Sequence, residues 1–348
     1  MRKLLLGLTC LTALSVGAIH PSSAADSCTV DMSHYTGWEP LTYAQDSGIA
    51  KKWGDKYKVP LKITEPMDYV VSYTQYTMGN ADGVAIANID ALIPSYGGKD
   101  TTVLIVGDFS NGNDGILVAD SGTTVKDLKN KTAVIAGTVS DYLIARALQL
   151  NGMSDNDVVR STVSELSLAS QVSTARHGSV FATWNPILLN GRNTPGMEMI
   201  FSSAQIPNEI IDTVVVKTSA SEACKRAITG AWYEVMALMS GTGHESTEAI
   251  KAMAAQSGGT VGEFNAQLRT TALFTKPADA VTFTSSAELK KTMELVRGVA
   301  FSHHMLVGTK DIGHVGIRFP DGSVLGNEKN VKLRFDTTYM QLAADGKL

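Results

Sequence analysis

Basic residues, cysteines and long apolar stretches are all scarce in this chain of 348 residues. The 30 Lys and Arg residues are outnumbered by 34 Asp and Glu residues, which argues against a nucleic acid as the main partner. Beyond the N-terminal segment, no stretch reaches the roughly 18 apolar residues that a membrane helix needs. With 44% hydrophobic residues and a net charge of −4, the chain is predicted to be a soluble globular protein of two domains.

The sequence also lacks the short motifs of common catalytic and metal centres. It has no phosphate loop, no glycine-rich dinucleotide fingerprint, no G-x-S-x-G elbow, no C-x-x-C and no H-E-x-x-H. His303, His304 and His314 form a cluster, but adjacent histidines on a helix point to different sides, so a surface or helix-end role is predicted. We therefore predict no catalytic residue, no metal and no cofactor.

The first 25 residues have the pattern of a cleaved secretory signal. Arg2 and Lys3 form a basic start, residues 4–19 are apolar, and residues 23–25 are small, as a signal peptidase requires. This pattern predicts export to the periplasm.

Two cysteines, Cys28 and Cys224, remain after such cleavage. Export permits a disulfide, but their separation along the chain says nothing about their distance in space. Two buried, unpaired thiols are therefore the expectation.

Short β-type runs alternate with helical patterns as far as residue 217, which is typical of an α/β fold. The predicted strands are Cys28–Met32, Pro60–Ile63, Gly83–Ile89, Thr102–Gly107, Gly115–Ala119, Thr132–Ile135, Val180–Trp184 and Thr213–Lys217. The predicted helices between them are Pro40–Trp53, Tyr69–Met78, Val125–Leu128 and Ser140–Leu150, the last capped by Ser140 and Asp141. A helical C-terminal supplement is predicted over 219–241, 246–258, 262–271 and 286–305.

Ligands of α/β sheets collect beyond the carboxyl ends of the strands, and the segments expected there contain no Lys or Arg. They contain Trp38, Asp68, Tyr69, Asn88, Asp90, Asp108, Asp114, Asp141, Tyr142, Trp184 and Asn185. An oxyanion usually needs Arg, Lys or several helix N-termini, whereas carboxylates and aromatic rings suit a neutral hydrogen-bonding solute or a compact cation. Taken singly, each residue could instead be a cap, a turn residue or a packing residue.

Segments spread over the whole predicted mature chain carry a family resemblance. They are Gly37–Pro40, Tyr43-Ala44, Gly48–Trp53, Asp68–Val70, Asn88–Pro94, Gly107–Gly115, Thr183–Pro186, Gly230–Glu234 and Val331–Phe335. By these segments the chain resembles periplasmic substrate-binding proteins of ABC importers in the nitrate/sulfonate/thiamine-precursor-like group. Within that group it is most similar to the urea-carboxylase-associated subgroup, linked to urea or guanidine. The chain departs from the subgroup pattern at Val71 and Ala136, where an acid is usual, at Asp141, where a His is usual, and at Ala87, where a Thr is usual.

The resemblance implies a bilobal periplasmic-binding-protein fold of type II, with two α/β lobes joined by two crossovers and the ligand in the cleft. One lobe would combine residues 26–110 with 212–348, and the other would span 111–211. It further implies a monomer that captures a small molecule without chemistry and delivers it to an ABC permease and its ATPase.

Together these observations predict a binder of a small nitrogen-rich solute: urea, guanidinium or a related amide or amidine first, a larger amine or heterocycle next. Trp38 and Trp184 are expected to sandwich the ligand, with Tyr69 beside them. Asp68, Asp90 and Asp141 would accept its N–H groups, and Asn88 and Asn185 would add neutral contacts. Two alternatives stay open: an enzyme of the pyrimidine-synthase type on the same scaffold, which would have to use His34 or Cys28, and a binder that serves sensing instead of import.

Overall fold

The structure, a computed structural model, describes residues 27–348 except 67, 307 and 308, so the predicted signal segment lies outside the described residues. The strands are β1 Cys28–Asp31, β2 Leu61–Thr64, β3 Gly83–Ala87, β4 Thr101–Ser110, β5 Asp114–Val118, β6 Thr132–Ile135, β7 Val159–Thr162, β8 Val180–Trp184, β9 Glu198–Ser202, β10 Ile211–Lys217, β11 Thr271–Leu273, β12 Gly316–Arg318, β13 Val324–Leu325 and β14 Val331–Phe335. The helices are α1 Glu39–Asp46, α2 Ile49–Tyr57, α3 Tyr69–Met78, α4 Leu92–Tyr96, α5 Thr138–Leu150, α6 Glu165–Ser173, α7 Ile187–Arg192, α8 Glu222–Ser240, α9 His244–Gln256, α10 Val261–Leu268, α11 Pro277–Thr284, α12 Ala287–Ser302 and α13 Thr338–Ala344.

The strands form two separate sheets, and each sheet with its helices makes one lobe. The first has nine strands in the order β13-β12-β14-β4-β10-β3-β1-β2, with β11 added beside β4, and the second has five in the order β7-β6-β8-β5-β9. The chain passes from the first sheet to the second after β4 and returns with β10. The bilobal α/β fold predicted from the sequence is therefore confirmed, whereas the exact lobe boundaries stay a prediction.

Strand register brings the charged ends of buried strands together at the cleft. All five residues of β3 are buried, as are nearly all of β4 and β10, because helices cover both faces of the sheet. Strand β10 runs antiparallel between β3 and β4, so Asp212 at its start lies opposite Asp108 near the end of β4. In the second sheet, Asp114 at the start of β5 lies opposite Trp184 at the end of β8.

Several sequence predictions need correction. The helix expected over Pro40–Trp53 is two helices, because Gly48 takes the left-handed conformation (φ +80°) and separates them. Helix α5 begins at Thr138 with Gly137 as its N-cap, so Ser140 and Asp141 lie inside the first turn and do not cap it. The C-terminal supplement also contributes strands β11 to β14 to the first sheet. These strands are short and lack a clear alternation of apolar and polar residues, so the sequence pattern did not predict them.

The expectation of two unpaired thiols is wrong, because Cys28 and Cys224 form a disulfide. Their Cα atoms are 5.5 Å apart although 196 residues separate them in sequence. Cys28 opens β1, and Cys224 lies in the first turn of α8, which Ser221 caps by accepting the N–H of Cys224. The bridge therefore ties α8 to the first sheet, in a contact that only the tertiary fold creates.

Candidate ligand-binding site

A small, partly open chamber lies between the two sheets at their facing edges. Its volume is about 20 Å³, room for about one water-sized group. The lining residues are Tyr35, Trp38, Tyr69, Ala87, Asp114, Val139, Trp184, Ile210 and Asp212. This lining contains aromatic rings and carboxylates but no Lys, Arg or His from the described part of the chain.

Three of the sequence-predicted residues, Trp38, Tyr69 and Trp184, form an aromatic wall of this chamber. The rings of Trp38 and Tyr69 stack with centroids 5.4 Å apart, and Trp184 meets Tyr69 edge-on at 6.0 Å. Tyr35 packs against Trp38 at 4.9 Å. The indole N–H of Trp38 is buried and makes no hydrogen bond to a described residue, so it is free to meet a ligand. The hydroxyl of Tyr35 is also buried and lies near Asn113 and Asp212.

Three buried carboxyl groups lie together here, and we call Asp108, Asp114 and Asp212 the acidic triad. Asp114 and Asp212 line the chamber, and Asp108 lies opposite Asp212 on the paired strand. Asp114 accepts a hydrogen bond of 2.5 Å from the Ser110 hydroxyl. No basic side chain among the described residues lines the chamber, so an ionised carboxylate there has no positive partner.

The backbone leaves room for the triad at one glycine. A Cβ atom on Gly37 would overlap Oδ2 of Asp108 and would lie 2.8 Å from Cε1 of Tyr35. Any larger residue would therefore displace a triad carboxylate and a chamber ring together. Gly37 belongs to the segment that carries the family resemblance.

Burial raises the pKa of every carboxyl group in the triad. It raises the pKa of Asp114 to about 7 and that of Asp212 to about 6. The pKa of Asp108 lies well above its ordinary value, first because of burial and then because of the neighbouring Asp212. The ligand-free site therefore binds protons that an unfolded chain would have released.

These raised pKa values predict that the ligand-free protein loses stability as the pH rises. Between 3.8 and about 7 the folded chain holds more protons at Asp114 than the unfolded chain does, so the free energy of unfolding falls across this window. Thermal unfolding followed by calorimetry at about pH 5 and about pH 7.5 measures the difference without adding a solute that could occupy the chamber. Asp114→Asn should reduce the slope, whereas Asp55→Asn on the exposed face of α2 should leave it unchanged. A wild-type protein that is more stable at the higher pH would contradict the prediction.

A wider outer cavity adjoins the chamber, and Tyr69 and Trp184 line both. Asp68 lines this cavity and also caps α3, since it accepts the N–H of Val71 at 2.9 Å. Asp141 lines it too, but one of its oxygens accepts a 2.9 Å hydrogen bond from Arg160. Of the four positions that depart from the subgroup pattern, Val71, Ala136 and Asp141 line the outer cavity and Ala87 lines the chamber.

The remaining predicted site residues lie next to the chamber lining. Asp90 is buried and accepts a 2.6 Å hydrogen bond from the Tyr69 hydroxyl, and burial raises its pKa to about 6. Asn88 joins β3 to the returning chain, with its side chain bonded to the carbonyl of Glu209 at 3.0 Å and to the N–H of Ile211 at 3.2 Å. Asn185 bonds to Asn113 and accepts the N–H of Leu189. These contacts give the three residues a role in holding the cleft.

Sequence reasoning gave too little weight to the floor of the chamber. Asp108 and Asp114 were in the strand-end segments but fitted equally well as turn residues, and Tyr35 followed the first strand without a distinguishing pattern. Asp212 was missed because it lies at the start of its strand. Since β10 is antiparallel to its neighbours, that start meets their carboxyl ends, and a rule based on carboxyl ends alone overlooks it.

His34 and Cys28, the two residues on which the alternative of an enzyme depends, both make other contacts. His34 lies in a second outer cavity, where Nδ1 is 3.0 Å from Glu39 and Nε2 is 3.4 Å from Glu65. The Glu39 hydrogen bond raises the pKa of His34. The sulfur of Cys28 is consumed in the disulfide and offers no thiolate. Within the described part of the chain, no three His, Cys, Asp or Glu side chains are arranged to hold a metal ion.

Comparison with known proteins gives likeness of structure only. No family model matches the sequence, and no curated protein matches it. The alkanesulfonate-binding protein SsuA from Xanthomonas axonopodis pv. citri, bound to MOPS, aligns with a TM-score of 0.64 and 16% identity over 81% of this chain and 96% of its own. The aliphatic sulphonate binding protein SsuA of Escherichia coli aligns with a TM-score of 0.67 and 15% identity, over 82% of this chain and 96% of its own. A zinc-bound ligand-binding component of an ABC-type import system from Staphylococcus aureus aligns with a TM-score of 0.61 and 10% identity, over 80% of this chain and 92% of its own.

These three similar structures are named as binding proteins or binding components, and they align over nearly their whole length. Among the residues described in this chain, no helix has both the length and the apolar character to cross a membrane. The two sheets, the crossovers between them and the chamber at their junction agree with this likeness. The chain has the fold of the periplasmic binding proteins of ABC importers.

Proposed function

We propose that this protein is the periplasmic solute-binding component of an ABC importer that captures a small nitrogen-rich cation, guanidinium or a close relative, in the interlobe chamber. The observation that carries the proposal is the acidic triad beneath an aromatic wall. The ligand would then pass to a membrane permease with its ATPase. Residues 1–25 would direct export, and the protein would act without catalysis.

The charge of the site supports a cation over an anion. Sulfonates and nitrate need positive groups, and the described residues of the chamber lining include none. Asp108, Asp114 and Asp212 carry negative charge where they are ionised and offer no positive charge at any pH, in a setting that water screens little. The rings of Trp38 and Trp184 favour a flat cation by cation–π contact. Sulfonate binding by the similar SsuA proteins is therefore not carried over to this chain.

The geometry of the site supports guanidinium in particular. Its planar N–H groups match carboxylate oxygens in paired hydrogen bonds, as Arg side chains do. Because the chamber of about 20 Å³ holds about one water-sized group, the smallest solutes would require the least movement of its lining, which favours guanidinium over a larger amine or heterocycle. Urea has the same shape but no charge, so it would gain no attraction from ionised carboxylates and should bind more weakly.

Calorimetric titration of the purified protein tests this proposal. Guanidinium should bind one-to-one and more tightly than urea by about tenfold or more, the worth of one charge-assisted hydrogen bond. Taurine and nitrate, as anions or anionic groups, should give no heat of binding. Binding of taurine or nitrate, or a failure of both guanidinium and urea to bind, would overturn the assignment.

A further inference from the structure

We propose that the chamber exchanges a proton for its cation: when guanidinium enters, the acidic triad releases about one proton to the solvent. The inference rests on the proposed function, since it needs a cationic ligand. It adds that the affinity for this ligand depends on pH, whereas the affinity for a neutral solute of the same shape does not.

The first step of the reasoning is the state of the ligand-free site. Both carboxyl oxygens of Asp108 and one of Asp212 are buried and have no hydrogen-bond partner among the described residues. The two residues lie directly opposite each other on antiparallel strands, so their side chains leave the sheet on the same face as neighbours. Two adjoining carboxylates away from water cannot both be ionised, so the pair keeps a proton while no cation is bound.

The second step is what faces the pair from every side. Strand β5 adds the carboxyl of Asp114, and the loop after β3 adds that of Asp90, whose charge acts on Asp212. The loop after β1 adds the neutral hydroxyl of Tyr35, whereas the Tyr69 hydroxyl of α3 donates to Asp90. Every charge that these described residues place on the pair is therefore negative. Bound protons therefore reduce the electrostatic repulsion among these carboxylates while no ligand is present.

The third step is the arrival of the ligand. Guanidinium stays charged at any ordinary pH, and its positive charge next to the triad favours the ionised carboxylates. The proton held by the triad is then displaced into the solvent. Urea brings no charge, so it leaves the proton in place. Acid should thus weaken guanidinium binding and leave urea binding unchanged.

Titration calorimetry in two buffers of different ionisation enthalpy counts the released protons directly. Near pH 7, where the pKa of Asp114 lies at about 7, we expect about one proton per bound guanidinium and none per bound urea. At lower pH, the dissociation constant for guanidinium should rise about tenfold per pH unit. Asp108→Asn should reduce the proton count, because the new amide does not titrate and gives Asp212 an N–H donor in place of the shared proton. Asp55→Asn should match the wild-type protein.

The outcomes separate this inference from the proposed function. If guanidinium binds with no proton release and no pH dependence, the exchange is overturned and the assigned ligand stands. If no nitrogen-rich solute binds, both are overturned.

An infrared measurement on the ligand-free protein gives a second test that needs no ligand. The C=O stretch of a protonated carboxylic acid should be present near neutral pH and weaker in Asp108→Asn, or in Asp212→Asn should the first variant not fold. Absence of this band from the wild-type protein would overturn the exchange.

Discussion

Asp212→Asn should weaken guanidinium binding by about tenfold to a hundredfold, which corresponds to the loss of one charged hydrogen bond. Asp212 lines the chamber, is 4% exposed, and has one oxygen without a hydrogen-bond partner among the described residues. Asparagine keeps the shape of the side chain but removes its charge and half of its accepting capacity. The loss should therefore be one of ligand contact and not of packing. Calorimetric titration of both proteins with guanidinium measures it.

The matched control is Asp55→Asn, which removes the same charge from a side chain that is 67% exposed and pairs with Lys51. It should leave affinity unchanged, because exposed pairs contribute little and distant charges are screened. In the absence of ligand, Asp212→Asn should also unfold at a higher temperature than the wild-type protein at about pH 7, since it removes a buried charge that lacks a counter-charge. Unchanged guanidinium affinity in Asp212→Asn would remove this residue from the site.

Loss of the disulfide between Cys28 and Cys224 should lower the free energy of unfolding by about 2–5 kcal/mol. The bridge closes a span of 196 residues, so the unfolded chain gains much freedom when it is cut. It also joins β1 to α8, which packs against α1 and α2. Thermal unfolding with and without dithiothreitol measures the change.

The variant that replaces both residues, Cys28→Ala with Cys224→Ala, separates the bond from the volume of the sulfur atoms. It should show the same reduced stability in both buffers and no response to dithiothreitol. A wild-type protein that keeps its stability while a thiol assay reports two free cysteines would contradict the prediction. Guanidinium affinity should change little at temperatures where the reduced protein stays folded, since neither cysteine lines the chamber.

The local patterns of this chain predict many elements well. Helix α3 has the bounds that the sequence indicates, Tyr69–Met78, and strands β6 and β8 do as well. These elements have strong internal signals: Asp68 and Gly79 cap the helix at its two ends, and the strands are apolar runs with clear ends. The pattern was misleading where one conformation interrupts a continuous periodicity, as Gly48 does between α1 and α2.

The aromatic part of the site was also within reach of the sequence. Trp38, Tyr69 and Trp184 all lie next to recognisable strands or helices, and all three line the chamber. The absence of Lys and Arg from the same segments already indicated a neutral or cationic ligand. Asp68 and Asp141 line the outer cavity, and their part in binding stays a prediction.

What the sequence determined by itself was the class of fold, the resemblance to exported binders and the chemical character of the cleft. These depend on periodicity, on local caps and on which residue types follow each strand, all of which are local properties. What only the tertiary structure decided was which carboxylates meet. Asp108, Asp114 and Asp212 come from three strands of two sheets, and the Cys28–Cys224 bond joins residues 196 positions apart. Such contacts depend on strand direction and register, which pairing between distant segments sets and which no local pattern encodes.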